Sequence, residues 1–182
     1  MNYLLRDFQP CDAVAVDMIV QAAFTEFRDA YSDWEAFSRG LNSMVTMADT
    51  SEIIVAESEG EVIGAVAYVA AGQPKKSFFP EAWPIVRMLA VLPRCRGAGI
   101  GRALTQACID RAERDGADVI ALHTSHIMKV ALPMYERMGF ELERDAPAIF
   151  GVPYGIYVKY LRPARQGLNI EFSDRDPTLK GS

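Results

Sequence analysis

Arg96-Gly97-Ala98-Gly99-Ile100-Gly101-Arg102 follows an apolar run, Val86 to Leu92, and opens an amphipathic one, so it reads as strand, glycine loop, helix. Glycines at alternate positions remove the Cβ atoms that would hold a ligand off the backbone. They also allow positive φ, so successive amides can turn toward one anion. An anion placed there meets the positive end of the following helix dipole. Between Arg87 and Arg102 there are four arginines and no acid, against a net formal charge of −5 overall. The local field opposes the global one, as a site for a polyanionic cofactor requires. Two common phosphate loops do not fit. A Walker loop ends in Gly-Lys-Ser/Thr, whereas Gly101 is followed by Arg102-Ala103. The dinucleotide fingerprint needs G-x-G-x-x-G on a first strand, whereas here the spacing is G-x-G-x-G, in the middle of the sequence.

With its upstream proline, the stretch Val91-Leu92-Pro93-Arg94-Cys95-Arg96-Gly97-Ala98-Gly99-Ile100-Gly101-Arg102-Ala103-Leu104 closely resembles motif A of the GCN5-related N-acetyltransferases (GNAT), Arg/Gln-x-x-Gly-x-Gly/Ala. Arg96, Gly99 and Gly101 fill its three defining positions. Downstream, Ala131-Leu132-Pro133-Met134-Tyr135-Glu136-Arg137-Met138-Gly139-Phe140 resembles the family's motif B, with its Tyr and Gly-Phe. The resemblance is specific from Arg87 to Phe140 and extends in outline over most of the sequence. It implies an α/β protein of the acyl-CoA N-acyltransferase fold: a mixed, largely antiparallel sheet with a splayed central parallel pair, flanked by helices. It also implies acetyl-CoA as acyl donor, its pyrophosphate on the loop. Leu89, Ala90 and Val91, then Arg96, Gly97, Ala98, Gly99, Ile100, Gly101 and Arg102, are the residues expected around it.

A polypeptide of 182 residues, half of them hydrophobic, can bury one substantial core. Residues 1–162 are therefore read as a single acetyltransferase domain. From Pro163 apolar periodicity is lost, and 163–182 is read as a loosely held tail. Within it Leu168-Asn169-Ile170-Glu171-Phe172 alternates, a candidate strand at the edge of a homodimer. No apolar run reaches the roughly 20 residues that span a bilayer, and the N-terminal residues lack a secretory pattern, so no membrane association and a cytoplasmic location are expected. The three cysteines, Cys11, Cys95 and Cys108, form no Cys-x-x-Cys, and no metal is expected. The acidic balance and the lack of a broad basic face speak against nucleic acid.

Periodicity and turn signals predict strands at Tyr3–Phe8, Ile53–Glu57, Val62–Ala70, Val86–Leu92, Asp118–Thr124, Phe140–Glu143 and Ile156–Leu161. Helices are predicted after an Asp12 N-cap with Val16, Ile19, Val20 and Ala23 inward, over Trp34–Met47, and over Lys129–Met138. The helix after the glycine loop aligns Ile100, Leu104, Ala107, Cys108 and Ala112 in one buried stripe. Gln73–Trp83 and Pro147–Gly155 are predicted loops.

Acetyl transfer to an amine needs a held thioester, a neutral amine and a proton for the departing thiolate. The resemblance implies that backbone groups of Leu89 and Val91 meet the pantetheine arm and the acetyl carbonyl, where one N–H donor to a developing oxyanion is typically worth about 2.7–4 kcal/mol. It implies Tyr135 as the general acid, since a phenol of pKa about 10 stays protonated at neutral pH. A base is harder to name. Some members carry Glu eleven residues before motif A, where Ile85 stands here. Glu81 is the nearest acid before the strand and is the candidate; His123 and His126, at the end of the next strand, are alternatives. A second departure is Met128, with Lys129 beside it, where many members have Asn. Phe78, Phe79, Trp83, Phe150, Tyr154 and Tyr157 are candidate walls for an acceptor pocket. Two readings stay open: an N-acetyltransferase moving acetyl to a primary amine of a small molecule or peptide in a ternary complex, or a non-catalytic acyl-CoA-binding or sensing module of the same fold.

Overall fold

A computed structural model describes residues 2–161 apart from Asn42. In order they form β1 (Leu4–Asp7), α1 (Ala13–Phe24), α2 (Trp34–Leu41), α3 (Ser43–Thr46), β2 (Glu52–Ser58), β3 (Glu61–Val69), β4 (Ile85–Val91), α4 (Ile100–Arg114), β5 (Val119–Thr124), α5 (Ala131–Arg137), β6 (Glu141–Ile149) and β7 (Val152–Tyr160). The strands make one seven-stranded sheet in the order β1-β2-β3-β4-β5-β7-β6. Every neighbouring pair is antiparallel except β4 and β5.

Both faces of the inner strands are apolar, and the period of two sorts them cleanly. Ile54, Ala56, Val66 and Tyr68 pack with Ile100, Leu104, Cys108 and Ala112 of α4. Ile53, Val55, Ala65 and Ala67 pack with Val16, Ile19, Val20 and Ala23 of α1 on the opposite face. The predicted α4 stripe is in place except that Ala107 is only half-buried, and Thr105 and Ile109 widen it.

Asp12 stands directly before α1 as expected but does not cap it. Its carboxylate accepts from Arg6 at 2.7 and 3.0 Å and from the Gln9 amide at 2.8 Å. The reason is local: Pro10–Asp12 is a 3-10 turn that runs straight into α1, and Asp12 is already helical at φ −80°, which aims its carboxylate backward. Within the span Trp34–Met47 expected to be helical, α2 and α3 are helix on either side of Asn42, ending at Thr46. The expected loop Pro147–Gly155 is mostly strand, for reasons taken up below. The candidate edge strand Leu168–Phe172 lies outside the described residues.

Two features of β4 position the site. Between Arg87 and Ala90 it spends one more residue than β3 spends between Ala67 and Ala65, a bulge at which Met88 takes φ +56°. On its other side β4 registers with β5 at a single position, Ile85 opposite Ala121. Beyond that pair the two parallel strands diverge, and the gap opens toward the C-terminal end of β4, where the glycine loop begins. No helix among the described residues is long and apolar enough to cross a membrane.

Candidate active site

The divergence of β4 and β5 is filled by two cavities. The larger, about 810 Å³, lies over the glycine loop. Leu89 and Val91 line it from β4. The loop and the first turn of α4 add Arg96, Gly97, Gly99, Ile100, Gly101 and Arg102. Gly97 and Gly99 have φ of +83° and +81°, the conformation that glycine supplies without strain, and a Cβ at Gly97 would meet nothing within 4 Å. Gly99 is the N-cap of α4, so the amides of its first turn are free of helical partners. Leu92 N–H donates to Ile63 O of β3, and strand alternation therefore turns the Val91 N–H away from β3, toward the gap.

Not every expected residue is there. Ala90 faces the α1 side and packs with that core. Ala98 is exposed and lines neither cavity. The four arginines of the sequence segment part company: Arg96 and Arg102 reach the larger cavity, Arg94 pairs with Glu61 at the surface, and Arg87 lines the smaller cavity. Arg96 also bonds Ala23 O at 3.2 Å and Glu26 at 2.7 Å, tying the end of α1 to the loop. Lys129 and Arg137, which the sequence did not mark as cofactor residues, line the larger cavity, so its charged wall is Arg96, Arg102, Lys129 and Arg137 against Glu26. Arg137 lies within motif B; its place on the last turn of α5 was the available signal.

The smaller cavity, about 260 Å³, lies on the far side of the divergence and shares Phe24, Leu89, Met128 and Ala131 with the larger. Tyr135 lines it from α5. Its ring is buried and meets Phe140 edge-on at 5.8 Å, and burial pushes its phenol well above the ordinary value. Met128 Sδ accepts from Thr124 Oγ1 at 3.3 Å, so the residue that departs from the family pattern is anchored to the end of β5. Of the candidate acceptor aromatics, Phe150 and Tyr154 line this cavity. Phe78, Phe79 and Trp83 fill a core cluster with Val69 and Ile85, and Tyr157 packs on the main core.

Glu81 is exposed and lines neither cavity; its carbonyl accepts from Gly72 N–H and Lys75 Nζ. His126 is exposed and also lines neither. His123 does line the smaller cavity, among the rings of Phe78, Phe79 and Tyr154. Burial first, then the charges of Lys76 and Arg87, push its pKa from 6.5 down to about 4. The unfolded state therefore takes up a proton below pH 6.5 that the folded state refuses until about pH 4, and stability falls as pH drops through that window. His123→Phe is expected to remove of order 2 kcal/mol of this acid loss at pH 4.5. Thermal melts at pH 7.5 and 4.5 check it; an unchanged difference between the two pH values in the variant contradicts it.

The sequence profile described as the acetyltransferase (GNAT) family matches residues 14–140, from α1 through the end of motif B. The protein belongs to the GNAT family. N-acetyltransferase family 8 member 3 of Rattus norvegicus is 33% identical to this GNAT protein over 87 residues, 48% of the present sequence and 37% of the rat one. The sequence spans less than half the length of the curated relatives that it matches. Among solved structures, the PaiA N-acetyltransferase from Thermoplasma acidophilum in complex with coenzyme A matches with a TM-score of 0.68 at 17% identity, covering 88% of this protein and 99% of that one. A GNAT acetyltransferase from Brucella melitensis in complex with acetyl-CoA matches with a TM-score of 0.62 at 22% identity, covering 89% and 90%. The likeness is one of fold, and it includes the mixed sheet with its central parallel pair. Among the described residues no group of three or more His, Cys, Asp or Glu is placed to hold a metal ion.

Proposed function

We propose that this GNAT protein moves an acetyl group from acetyl-CoA to a primary amine of a small molecule by direct attack, with both substrates bound at once. The observation that carries this reading is the wall shared by the two cavities: a donor in the larger and an acceptor in the smaller meet at Leu89, Met128 and Ala131.

Acetyl-CoA supplies an acyl group already activated as a thioester. The larger cavity suits its phosphates, with Arg102, Lys129 and Arg137 in the wall and open space over the left-handed Gly97 and Gly99. Val91 N–H is the donor available to the acyl oxygen. Tyr135 holds a proton on Oη, kept there by burial, and gives it to the departing sulfur. An alkyl ammonium of pKa about 10.4 is neutral in only about one molecule in a thousand at pH 7.4. No Asp or Glu lines the smaller cavity, while Lys76 and Arg87 do. A further positive charge is disfavoured there, so the amine enters in its neutral, nucleophilic form; as its nitrogen bonds the acyl carbon it sheds one proton, which Tyr135 takes up after its own has gone to the sulfur.

Thiol release from acetyl-CoA over a panel of primary amines tests this. Amine-dependent release is expected. A protein that binds CoA but releases no more thiol with any amine than without one is a sensing module, and the catalytic reading fails.

A further inference from the structure

Five arginines, Arg6, Arg94, Arg96, Arg111 and Arg114, have carboxylate partners. Arg87 does not. It lies part-buried in the wall of the smaller cavity, and no hydrogen bond or ion pair engages its guanidinium among the described residues. Lys76 lines the same cavity, with Nζ 5.7 Å from the centroid of the Phe78 ring and no acid beside it. Its place is fixed by its neighbour: Lys75 Nζ donates to the carbonyls of Ala70, Glu81 and Trp83 at 3.2, 2.9 and 2.9 Å, which pins this loop against the start of β4.

Two cations thus line a small cavity without a counter-charge, Lys76 exposed and Arg87 part-buried, and a charge withdrawn from water is costly unless something pairs with it. Burial lowers the pKa values of Lys76, Arg87 and His123; after burial, Arg87 lowers that of Lys76 further, and both cations lower that of His123. The rest of the wall is largely apolar, including Phe37, Leu41, Met88 and Leu122.

We propose that Arg87 and Lys76 bind an acceptor carboxylate, so that the amine substrate is a small amino acid with an apolar side group rather than a polyamine or a protein lysine. This rests on the acetyltransferase reading for the identity of the cavity. Arg87 supplies the planar fork that matches a carboxylate, and Lys76 supplies a second point charge. A volume of about 260 Å³ is below the usual range for drug-sized ligands and suits a molecule of amino-acid size. A polycation would meet two like charges and no acid.

Calorimetric titration of the whole protein saturated with CoA tests it, using L-leucine, L-methionine and L-phenylalanine, their amides, and the phosphonate analogue of phenylalanine. At least one free acid is expected to bind tenfold or more tighter than its amide. That preference is expected to vanish in Arg87→Met, to shrink in Lys76→Met and to be largely kept in Arg87→Lys, while CoA itself titrates as in wild type. Equal binding of acid and amide, a preference that survives in Arg87→Met, or a tenfold preference for the phosphonate overturns the carboxylate assignment. Thiol release measured on the same compounds separates the two readings. Carboxylate preference without release leaves the anion site standing and removes the transferase. Release as fast with the amides as with the acids does the reverse.

Discussion

Gly99→Val is expected to abolish measurable CoA binding while the protein stays folded. Gly99 caps α4 in the left-handed conformation, and the atom nearest to an added Cβ is Tyr3 Oη at 3.9 Å. The valine therefore fits the free protein without a clash and its cost there is backbone strain, about 1–3 kcal/mol against a typical total stability of about 5–15 kcal/mol. The same isopropyl group stands over the amides that would face a pyrophosphate. Each charge-assisted hydrogen bond contributes about 1.5–3 kcal/mol, so blocking two costs roughly a hundredfold or more in affinity. Calorimetry with CoA, alongside a thermal melt, decides the matter. A folded variant with wild-type affinity removes the loop from the binding site.

Tyr135→Phe is expected to lower kcat by about 10²–10⁴-fold with little change in KM for acetyl-CoA, because a general acid acts in the transition state more than in the ground state. The ring stays against Phe140, and no hydrogen bond is lost to stability, since the phenol has no partner among the described residues. The loss is thus confined to chemistry. If the variant keeps more than about a third of wild-type kcat with chemistry rate-limiting, another group protonates the sulfur and Tyr135 is a packing residue.

The sheet and the donor side of the site were legible because their signals are local. A strand, three alternate glycines and an amphipathic helix stand next to one another in the sequence, and the hairpin of β2 and β3 announces itself by two apolar runs on either side of a polar turn with Gly60. Of the β6–β7 hairpin only the ends away from the turn, read as strands Phe140–Glu143 and Ile156–Leu161, were legible, because prolines at 147 and 153 argue against strand between them. They are tolerated for positional reasons: β6 is an edge strand, the register shifts between Ala146 and Ile149, and Pro153 lies beyond the last β5 pair at Gly155. The acceptor side was unreadable for a different reason. Phe37, Lys76, Arg87, His123 and Tyr154 come from five separate segments, and only the folded sheet brings them to one wall. Arg87 was even misgrouped with the loop arginines, since nearness in sequence hides that β4 sends its residues to both sides of the gap.

A strand edge left open is a template for a strand of another molecule and a common start of aggregation. Because β4 and β5 share one backbone pair, this sheet has two additional edges in its middle. They face each other across a slot whose lining includes Phe24, Phe27, Met128 and Met134. Of the two outer edges, β1 and β6, the longer strand β6 presents exposed Glu141, Glu143, Arg144 and Asp145 together with Pro147, the residue types that discourage strand addition from outside. The edges of β4 and β5 are thus open toward the inside of the molecule, where a slender extended molecule can dock along them and a neighbouring polypeptide cannot.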